Sequence, residues 1–375
     1  MNNILILDGM NKNTLAIVRH LGRKKAGHIH VVSYQKASIC FFSRYVKKTY
    51  IIPNPSEESA FVSGLTEILK ATHFLLMIPV GFKSFDVCTR HAQEFAPFTQ
   101  FFLPPEASLK IAADKRLTNQ LALENNVPVP ESYHMDELIS GGQKSVKFPL
   151  VIKAPVELGK SLVAYARNIS ELTGVFHQIE KSLKRPELTP LIQEYIKGDG
   201  VGFFAYYEDG KLKRVFMHRR VREFPASGGA SVCAETFYDE KLFIYGKTLL
   251  DKLQWNGVAM IEFKKDDRDY KLMEINPKFW GSLDLSLTAH VDFPYFLVQR
   301  ALGIPVEPDF SFETNHRFQW LLNGELYHCI ERPRSIPLVL RDLFRSKNDI
   351  WVRDPLPFFF QLLMIPIDIY KHWFK

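Results

Sequence analysis

Two short stretches of the sequence carry oxygen-bearing side chains at the spacing of β-strands. The first reads Val-Ala-Met-Ile-Glu-Phe over residues 258–263, and the second reads Tyr-Lys-Leu-Met-Glu-Ile-Asn-Pro over residues 270–277. Glu274 and Asn276 are two residues apart, so on a strand their side chains project from the same face. A polar turn joins the two stretches, and antiparallel pairing can bring Glu262 beside them. Two carboxylates and a carboxamide oxygen would then converge.

Converging oxygen atoms of this kind are suited to binding magnesium. This cation prefers oxygen ligands and usually keeps waters and substrate phosphates in its shell, so a few protein oxygens on rigid strands favour a metal–nucleotide complex. For Glu274 alone, an acidic residue flanked by core positions is an equally good interpretation. Its combination with Asn276 and Pro277 favours the metal site.

A second group of chemistry-bearing residues lies at 217–231, which reads Met-His-Arg-Arg-Val-Arg-Glu-Phe-Pro-Ala-Ser-Gly-Gly-Ala-Ser. Arginine recognises carboxylate and phosphate through a planar fork, and successive glycines let backbone N–H groups approach an anion. The segment therefore indicates a loop for a substrate or for a terminal phosphate. Arg219 and Arg220 point to opposite faces if the strand continues, so we expect only one of them in the site. The alternative is the basic end of a hairpin.

Lysines that could bind a triphosphate occur earlier in the chain. Lys115 follows Asp114 at the start of a predicted helix, and Lys153 lies inside the apolar segment 150–154. A triphosphate needs cations along its length, because its negative charge must be neutralised. A lysine within an apolar strand is seldom a solvated surface charge, so that alternative is the poorer interpretation for Lys153.

The loop at residues 157–161 could supply donors to the far end of a triphosphate through Gly159, Lys160 and Ser161. For Lys160, a solvated surface charge is the better interpretation. We exclude a Walker A motif here. That motif needs a glycine where Ala154 stands and a helix where strand-like residues follow.

The segments that must position these residues begin with a βαβ pattern. Apolar runs alternate with helix-length segments through the first hundred residues, which predicts a parallel sheet. The predicted strands cover residues 4–7, 29–33, 50–52, 74–78 and 98–103. The loop after the first strand lacks G-x-G-x-x-G, so an NAD site is not indicated. Pro104 and Pro105 end this part because proline cannot continue a strand ladder.

A strand-rich region follows the two prolines. A predicted helix at residues 114–126 precedes strands at residues 150–154, 161–166, 191–196, 201–207, 211–217, 232–237, 258–263 and 270–275. Glu208-Asp209-Gly210 has the chemistry of a hairpin turn. Beyond about residue 303 the pattern weakens.

The ordered set of motifs resembles the ATP-grasp superfamily, and within it the carboxylate-amine ligases of the carbamoyl-phosphate-synthase-like group. In that superfamily a final strand with Glu-x-Asn-Pro, preceded by an acidic strand, supplies the magnesium ligands, and Glu262, Glu274 and Asn276 match this pattern. The resemblance spans roughly residues 1–300 and implies an α/β fold, with a Rossmann-like pre-ATP-grasp domain followed by a two-part ATP-grasp domain.

The resemblance also implies the limits of these domains. We expect the Rossmann-like domain at residues 1–105 and the ATP-grasp domain at residues 106–303, followed by a C-terminal extension at residues 304–375. Within the ATP-grasp domain, the lid is expected at about residues 128–196 and the large part at about residues 197–303.

The resemblance assigns nucleotide-binding roles as well. Lys115 and Lys153 match lysines that face the nucleotide, the second of them on the α- and β-phosphates. Residues 193–198 resemble the hinge between lid and large part, where Glu194 and the backbone of Tyr195 and Ile196 would meet the adenine. The complete set of expected nucleotide-binding residues is Lys115, Lys153, Gly159, Lys160, Ser161, Glu194, Tyr195, Ile196 and Asp199.

The chain departs from its relatives after Asn-Pro, where many of them carry arginine and this one carries Lys278. Lysine keeps the charge but loses bidentate geometry, which favours phosphate neutralisation over clamping a substrate carboxylate. We expect Lys278, with Arg219 or Arg220, near the transferred phosphoryl group as catalytic residues. Residues 43–45, Ser-Arg-Tyr, also resemble related ligases, and both a substrate contact and packing remain open for them.

The reaction implied by the resemblance is phosphorylation of a substrate carboxylate by ATP, followed by attack of an amine, or of a thiol, on the acyl phosphate. ADP and phosphate are released, and ATP and Mg²⁺ are the expected cofactors, with Mn²⁺ as a possible substitute. Two alternatives remain open. One is an ATP-grasp kinase that stops at a phosphorylated small molecule, and the other is a nucleotide-binding module without turnover.

Composition narrows the partners and the location. The 375 residues are 46% hydrophobic and 24% charged, which is typical of a multi-domain globular protein. The net charge of +7 suits anionic small molecules, but no long basic run with interleaved aromatics indicates nucleic-acid binding. The four cysteines form no C-x-x-C pair, and the first residues do not resemble a secretory signal, so we expect a cytoplasmic protein.

The C-terminal residues 355–375 are rich in apolar and aromatic side chains and end in a basic segment. The run is too short, and too interrupted by Pro366 and Asp368, for a transmembrane helix. One interpretation is a peripheral contact with the inner face of a membrane or with a partner protein. The other is packing against the body of the chain itself.

Overall fold

The computed structural model describes residues 2–140, 146–158, 162–226 and 228–373, with only the backbone described for residues 368–373. The strands in these residues form three sheets. The first is a parallel sheet in the order β3-β2-β1-β4, as the βαβ pattern predicts. Its strands are β1 (Asn3–Ile6), β2 (His28–Ser33), β3 (Val46–Ile51) and β4 (Leu76–Ile78).

Helices cover both faces of this parallel sheet. They are α1 (Lys12–Arg23), α2 (Glu58–Ala71), α3 (Phe82–Arg90) and α4 (Ala92–Phe95). Ile4 and Ile6 of β1 belong to one buried cluster, whereas Leu5 and Leu7 belong to another. Alternate residues of the strand therefore pack into separate cores, which explains why its sequence is continuously apolar.

The prediction of a fifth strand at residues 98–103 is wrong. The structure shows an isolated bridge between Leu76 and Gln100, with the Met77 N–H donating to the Gln100 carbonyl at 2.9 Å. The segment runs into Pro104 and Pro105, which have no N–H to extend a ladder. An apolar composition alone therefore gave a misleading strand signal here.

The second sheet is antiparallel and forms the region expected to be the lid. Its order is β5-β8-β6-β7, from β5 (Ser132–Tyr133), β6 (Leu150–Lys153), β7 (Val163–Ala166) and β8 (Leu191–Glu194). Two helices precede it, α5 (Glu106–Ala113) and α6 (Lys115–Glu124), and α7 (Met135–Ile139) and α8 (Ile169–Leu183) lie within it in sequence. Asp114 caps α6 by accepting a hydrogen bond from the Arg116 N–H at 2.8 Å.

The third sheet is the largest, in the order β13-β12-β9-β10-β11-β14-β15. Its strands are β9 (Asp199–Glu208), β10 (Lys211–Phe224), β11 (Ala230–Thr236), β12 (Gly257–Lys265), β13 (Tyr270–Asn276), β14 (Arg317–Gln319) and β15 (Lys347–Asn348). The accompanying helices are α9 (Glu240–Lys252), α10 (Leu283–Thr288), α11 (Phe293–Ala301), α12 (Leu326–Glu331), α13 (Ile336–Leu343) and α14 (Leu356–Trp373).

The turn between β9 and β10 confirms the hairpin predicted from its composition. Asp209 and Gly210 have φ angles of 49° and 76°, the left-handed pair of a two-residue hairpin loop. The turn places β10 against β9 over residues 201–219. Strand β9 is consequently central and carries apolar side chains into buried clusters on both faces of the sheet.

The residues after 303 are joined to the rest of the molecule in two ways. Strand β14 pairs with β11 and extends the large sheet, and β15 follows it. Asp354 is 1% exposed and accepts hydrogen bonds at 2.9 Å from Arg19 Nε, Ser43 Oγ and the Arg44 N–H. The Ser-Arg-Tyr segment therefore makes packing contacts with the C-terminal part. Among the described residues, no helix has the length and apolar character needed to cross a membrane.

Candidate active site

Glu262, Glu274 and Asn276 come together on neighbouring strands of the large sheet. Glu262 of β12 is paired with Glu274 of β13, and Met260 is paired with Asn276. The Asn276 carboxamide Nδ2 donates to Glu274 Oε1 at 2.9 Å. The hairpin register therefore produces the convergence expected from the sequence, because the turn joining the strands is short and fixes the pairing.

Three cations surround this acidic group. Lys115 Nζ lies 3.1 Å from Glu274 Oε2, and Arg220 Nη2 donates to Glu262 Oε2 at 2.6 Å. Lys278 Nζ donates to Asn276 Oδ1 at 3.3 Å. The site thus contains carboxylates that could bind a divalent cation and basic groups that could bind phosphate oxygens.

The two carboxyl groups differ in their electrostatics. Burial disfavours ionisation of Glu274, but the charge of Lys115 and the Asn276 hydrogen bond overcome this and hold the pKa of Glu274 at about 2. Burial raises the pKa of Glu262, with Arg220 opposing the shift and Glu274 adding to it. Burial, and then repulsion from Lys115, lower the pKa of Lys153 to about 8. For Glu274 the nearby charges outweigh desolvation, whereas for Lys153 desolvation and the charge of Lys115 lower the pKa together.

A cavity of about 340 Å³ lies between the lid sheet and the large sheet, and we refer to it as the first cavity. Lys115 and Lys153 line it together with Glu262 and Glu274. Lys153 is 9% exposed and belongs to β6, so the lid contributes a nearly buried cation to this cleft. A buried amine next to open space is suited to an anionic ligand that replaces its lost hydration.

The far end of the first cavity is lined by the predicted hinge. Glu194, Tyr195 and Ile196 all border it. The Glu194 carboxylate accepts from the Glu131 N–H at 3.1 Å, and the Ile196 carbonyl accepts from Lys264 Nζ at 3.3 Å. The hinge therefore presents backbone and an exposed aromatic ring to the cavity, the combination expected to meet a planar base.

A second cavity, also of about 340 Å³, adjoins the first. The two share Arg220, Ala230, Glu262 and Glu274 as lining residues. The rest of the second cavity comes from the start of α1, the start of α3, the chain after β6, strands β11, β12 and β13, and the segment after β13. These additional residues are Asn11, Asn13, Val80, Gly81, Phe82, Glu157, Ser231, Met260, Asn276, Lys278, Phe279, Trp280, Gly281 and Ser282.

The described end of the loop between β10 and β11 borders the first cavity, and Ala230 at the start of β11 borders both cavities. Gly228, Gly229 and Ala230 line the first cavity, and the Gly229 carbonyl accepts from Arg220 Nη1 at 3.0 Å. Gly228 has a φ of 126°, a conformation that side-chain-bearing residues rarely adopt. This is the loop predicted to contact a substrate or a terminal phosphate.

Some of the predicted residues do not line the cleft. Arg219 projects from the other face of β10, where its Nη2 donates to Glu235 Oε1 at 2.6 Å, so its expected place in the site is corrected in favour of Arg220. Asp199 borders a different cavity, which Arg220 also lines. Gly159, Lys160 and Ser161 lie outside the described residues.

The acidic group has the chemistry of a magnesium site. Two carboxylates and a carboxamide offer hard oxygen ligands, and repulsion between Glu262 and Glu274 would be relieved by a divalent cation. In the parts of the chain that the structure describes, no group of three or more His, Cys, Asp or Glu side chains is arranged to hold a metal. Two carboxylates and one carboxamide leave coordination positions for phosphate oxygens, so this donor set suits magnesium held jointly with a nucleotide.

Sequence reasoning missed several residues of the cleft. Lys264 lies with its Nζ 5.2 Å from the centroid of the Tyr195 ring and bonds the hinge. Its position two residues after Glu262, on the same face of β12, could have indicated it. Asn11 and Asn13 follow β1, and Asn13 Nδ2 donates to the Phe279 carbonyl at 3.2 Å, across 266 residues of sequence. No local pattern could have identified that contact.

Residues 188–323 match the family model described as ATP-grasp in the biosynthetic pathway with Ter operon. This part of the chain is similar to an ATP-grasp domain. Among curated proteins it is similar to D-aspartate ligase of Enterococcus faecium (strain Aus0004), with 22% identity over 304 residues that cover 73% of this chain and 70% of the ligase. The matched family region includes the hinge, the arginine-glycine loop and all three predicted metal ligands.

Solved structures share the fold. Biotin carboxylase of Campylobacter jejuni, in complex with β-γ-ATP, matches with a TM-score of 0.68 and 16% identity, over 84% of this chain and 74% of the other. L-amino acid ligase from Bacillus licheniformis matches with a TM-score of 0.61 and 13% identity, over 82% of this chain and 75% of the other. The predicted ATP-grasp resemblance and α/β fold class are confirmed.

These similarities also bear on the chemistry. ATP and Mg²⁺ are the typical cofactors of ATP-grasp domains, in agreement with the expectation from the sequence. Two of the similar proteins, D-aspartate ligase and L-amino acid ligase, are named as ligases, the class of enzyme expected from the sequence. The roles of the individual site residues stay predictions.

Proposed function

We propose that this ATP-grasp protein is an ATP-dependent carboxylate-amine ligase that works through an acyl-phosphate intermediate. The observation that carries the proposal is the wall shared by the two cavities. Arg220, Glu262 and Glu274 border both of them. A phosphoryl group positioned at this wall could pass from a nucleotide in the first cavity to an acceptor in the second.

The reaction has two steps in which atoms and charges balance. A carboxylate oxygen of the substrate attacks the γ-phosphorus of ATP, and the bond from that phosphorus to the bridging oxygen breaks to release ADP. The amine then attacks the acyl carbon, phosphate leaves with its bridging oxygen, and the amine loses a proton to solvent. No covalent enzyme intermediate is required, so the protein contributes positioning and charge neutralisation.

The basic residues suit the phosphoryl-transfer step. Lys153 and Lys115 border the first cavity and would bind nucleotide phosphates. Arg220 lies at the shared wall, where its guanidinium can contact oxygens of the transferred group. Lys278 lines only the second cavity of the two, which suits a charge on the acceptor side.

Magnesium would be held by Glu262, Glu274 and Asn276. Bound there, it would neutralise charge on the phosphate oxygens during transfer. Glu262 pairs with Arg220, and Glu274 pairs with Lys115. When Mg²⁺ and the nucleotide bind, the two carboxylates could turn to the cation and the two basic groups to the nucleotide.

The lining of the second cavity favours a small amino acid as the carboxylate substrate. Asn11, Asn13 and Lys278 supply polar groups to it, while Phe279 and Trp280 supply apolar surface. Two of the similar proteins are named as ligases of D-aspartate and of L-amino acids. An amino acid offers both the carboxylate to be activated and further charged groups for a polar pocket to recognise.

Hydroxylamine trapping tests this function. The protein, Mg-ATP and individual L- and D-amino acids are incubated with hydroxylamine in place of an amine, and ADP and hydroxamate are measured. An acyl phosphate should yield the hydroxamate of the true substrate in equal amount to ADP, because hydroxylamine attacks the activated acyl carbon. Stable phosphorylated product with no hydroxamate would instead support the kinase, and binding of ATP without ADP release would support the non-catalytic module.

The choice between amine and thiol acceptors needs a second measurement. Once the carboxylate is known, candidate amines and thiols are added with ATP, and the products are identified by mass. An amide product supports the proposal, whereas a thioester would show that the enzyme joins the acyl group to sulfur.

A further inference from the structure

The C-terminal helix α14 carries apolar side chains both where it contacts the body of the chain and where it faces solvent. Its inner face packs on the body of the chain, where the rings of Phe360 and Phe42 stack with centroids 4.6 Å apart. Its outer face carries exposed apolar side chains at helical spacing, namely Leu356, Phe359, Leu363 and Ile367. A helix that is apolar all round is normally covered on all sides, so the outer face lacks the polar residues of an ordinary surface helix.

Further exposed apolar side chains precede this helix. Phe344 is 87% exposed, Val352 is 86% exposed and Leu363 is 75% exposed, and these are the highest values among the large exposed hydrophobic residues of the described chain. Isolated exposed apolar residues are normal, but a concentration of them marks an interaction site. We call Phe344, Val352, Leu356, Phe359, Leu363 and Ile367 the C-terminal surface.

A hydrogen-bonded link holds the two parts of the C-terminal surface together. Asn323 Nδ2 donates to Asp349 Oδ2 at 2.8 Å, and Gln361 Nε2 donates to Asn323 Oδ1 at 2.9 Å. Asn323 therefore ties the segment before Val352 to the middle of α14. Both parts are held by side-chain contacts with the body of the chain, which favours a defined surface over a loose tail.

The exposed charged residues of the segment that carries the C-terminal surface, from residue 340 to residue 367, all have one sign. Between residues 340 and 367, all of which are described, the exposed charged residues are Arg341, Arg345, Lys347 and Arg353. The carboxylates of this segment, Asp342, Asp349 and Asp354, are 1%, 6% and 1% exposed. They are engaged internally, for example Asp342 with Arg222 and Asp354 with Arg19. The solvent-facing charge is consequently positive.

From this combination we infer that the C-terminal surface docks on an anionic phospholipid membrane. Apolar side chains can enter the boundary between headgroups and acyl chains, while nearby arginine and lysine side chains contact lipid phosphates. A second copy of this chain fits less well, because a symmetric contact would bring the same positive charges together. The structure thus favours attachment to the membrane surface without crossing it.

Vesicle binding by the full-length chain tests this inference. The protein is sedimented with vesicles of phosphatidylcholine alone, or of phosphatidylcholine mixed with phosphatidylglycerol. We expect binding to the anionic vesicles only, weakened by added salt. Substituting Phe359→Ser with Leu363→Ser should reduce binding about tenfold or more, since both side chains lose their apolar insertion.

A matched control keeps the apolar substitutions interpretable. Leu123 and Ile139 are 62% and 59% exposed but lie far from the C-terminal surface in sequence, in α6 and α7. The pair Leu123→Ser and Ile139→Ser should bind vesicles as the unaltered protein does. Equal loss of binding in both pairs would overturn the specific assignment, as would no binding of the unaltered protein to anionic vesicles.

A charge-reversal pair keeps the test decisive if the apolar variant fails to fold. Arg345→Glu with Arg353→Glu changes exposed positions and should remove the preference for anionic lipid, whereas Lys70→Glu on the exposed side of α2 should not. Sedimentation without lipid is measured in parallel. A dimer of the unaltered protein that Phe359→Ser with Leu363→Ser dissociates would show that a second copy covers the surface, and the membrane inference would be wrong.

Discussion

Glu262 of β12 lies directly opposite Glu274 of β13, and each carboxylate is paired with a different cation. Arg220 contacts Glu262, and Lys115 contacts Glu274. The two carboxylates therefore form ion pairs with residues from different elements of the chain. Arg220 comes from the large sheet and Lys115 from α6. The pair therefore links the parts of the molecule that would enclose the nucleotide.

The acidic pair gives the first prediction. Glu274→Gln should reduce ADP release about a hundredfold or more, because a charged oxygen is lost at the proposed magnesium site while the side chain keeps its size. Glu262→Gln should be impaired for the same reason, and Asn276→Ala less so if water replaces its carbonyl. Glu106→Gln, at an exposed position of α5, is the control for loss of one charge and should turn over normally. Unchanged turnover by Glu274→Gln with an intact thermal transition would show that the metal-site assignment is wrong.

The neighbouring arginines of β10 give the second prediction. Arg220→Ala should lower kcat about a hundredfold, because Arg220 borders both cavities and its guanidinium can stabilise the transferred phosphoryl group. Arg219→Ala should leave kcat nearly unchanged. Its partner Glu235 also accepts from Arg317 Nε at 2.9 Å and would not be left unpaired.

Steady-state kinetics of the two arginine variants, with ADP release as the readout, decides this prediction. Equal loss of kcat in both would mean that the effect arises from disturbance of the strand. Loss confined to Arg219→Ala would contradict the placement of the site.

A buried aspartate outside the cleft gives a pH-dependent prediction. Burial raises the pKa of Asp284 to about 6, against an ordinary value of 3.8; a hydrogen bond from Trp320 opposes the shift and the charge of Asp349 adds to it. Protonated Asp284 therefore stabilises the folded chain below about pH 4, and this stabilisation is lost as the pH rises to about 6. The change amounts to about 3 kcal/mol in the free energy of unfolding.

Asp284→Asn should remove this dependence while keeping an oxygen acceptor for the Trp320 indole. Relative to the unaltered protein, the variant should gain stability between about pH 4 and about pH 6.5 in urea unfolding. Asp342→Asn is a control of opposite sign. Although burial opposes it, the pairing with Arg222 and Arg317 lowers the pKa of Asp342 below its ordinary value of 3.8, so this variant should lose relative stability as the pH rises to about 4 and show no further change up to about pH 6.5. A stability difference for Asp284→Asn that does not vary with pH would contradict the prediction.

The contact between Asp354 and Arg19 gives a prediction about stability. Both side chains are buried, with 1% and 3% exposure, so Asp354→Ala would leave the Arg19 guanidinium without its carboxylate. The expected loss is about 3–5 kcal/mol in the free energy of unfolding, or roughly 5 °C in Tm. Glu307→Ala removes an exposed carboxylate and should have little effect. Calorimetry that shows equal Tm values for both variants would mean that the C-terminal part is not anchored through this contact.

Local sequence determined the structural features that depend on neighbouring segments of the chain. The alternation of apolar runs and helix-length segments predicted the parallel sheet, and the short turn between the acidic strands predicted the pairing of Glu262 with Glu274. Both patterns are local, because strand periodicity and a short connection restrict the possible pairings. The prediction of a strand at residues 98–103 was wrong. An apolar segment does not form a strand when most of its backbone groups have no neighbouring strand to bond.

The tertiary structure decided which elements meet and which faces turn inward. Alternation along β10 shows that Arg219 and Arg220 oppose each other, but only the packing of the large sheet against the lid selects Arg220 for the cleft. The second cavity joins Asn13 to the segment after β13, and β14 becomes a strand through its pairing with β11. Such contacts depend on the burial and hydrogen bonding of segments far apart in sequence, for which no residue spacing provides a signal.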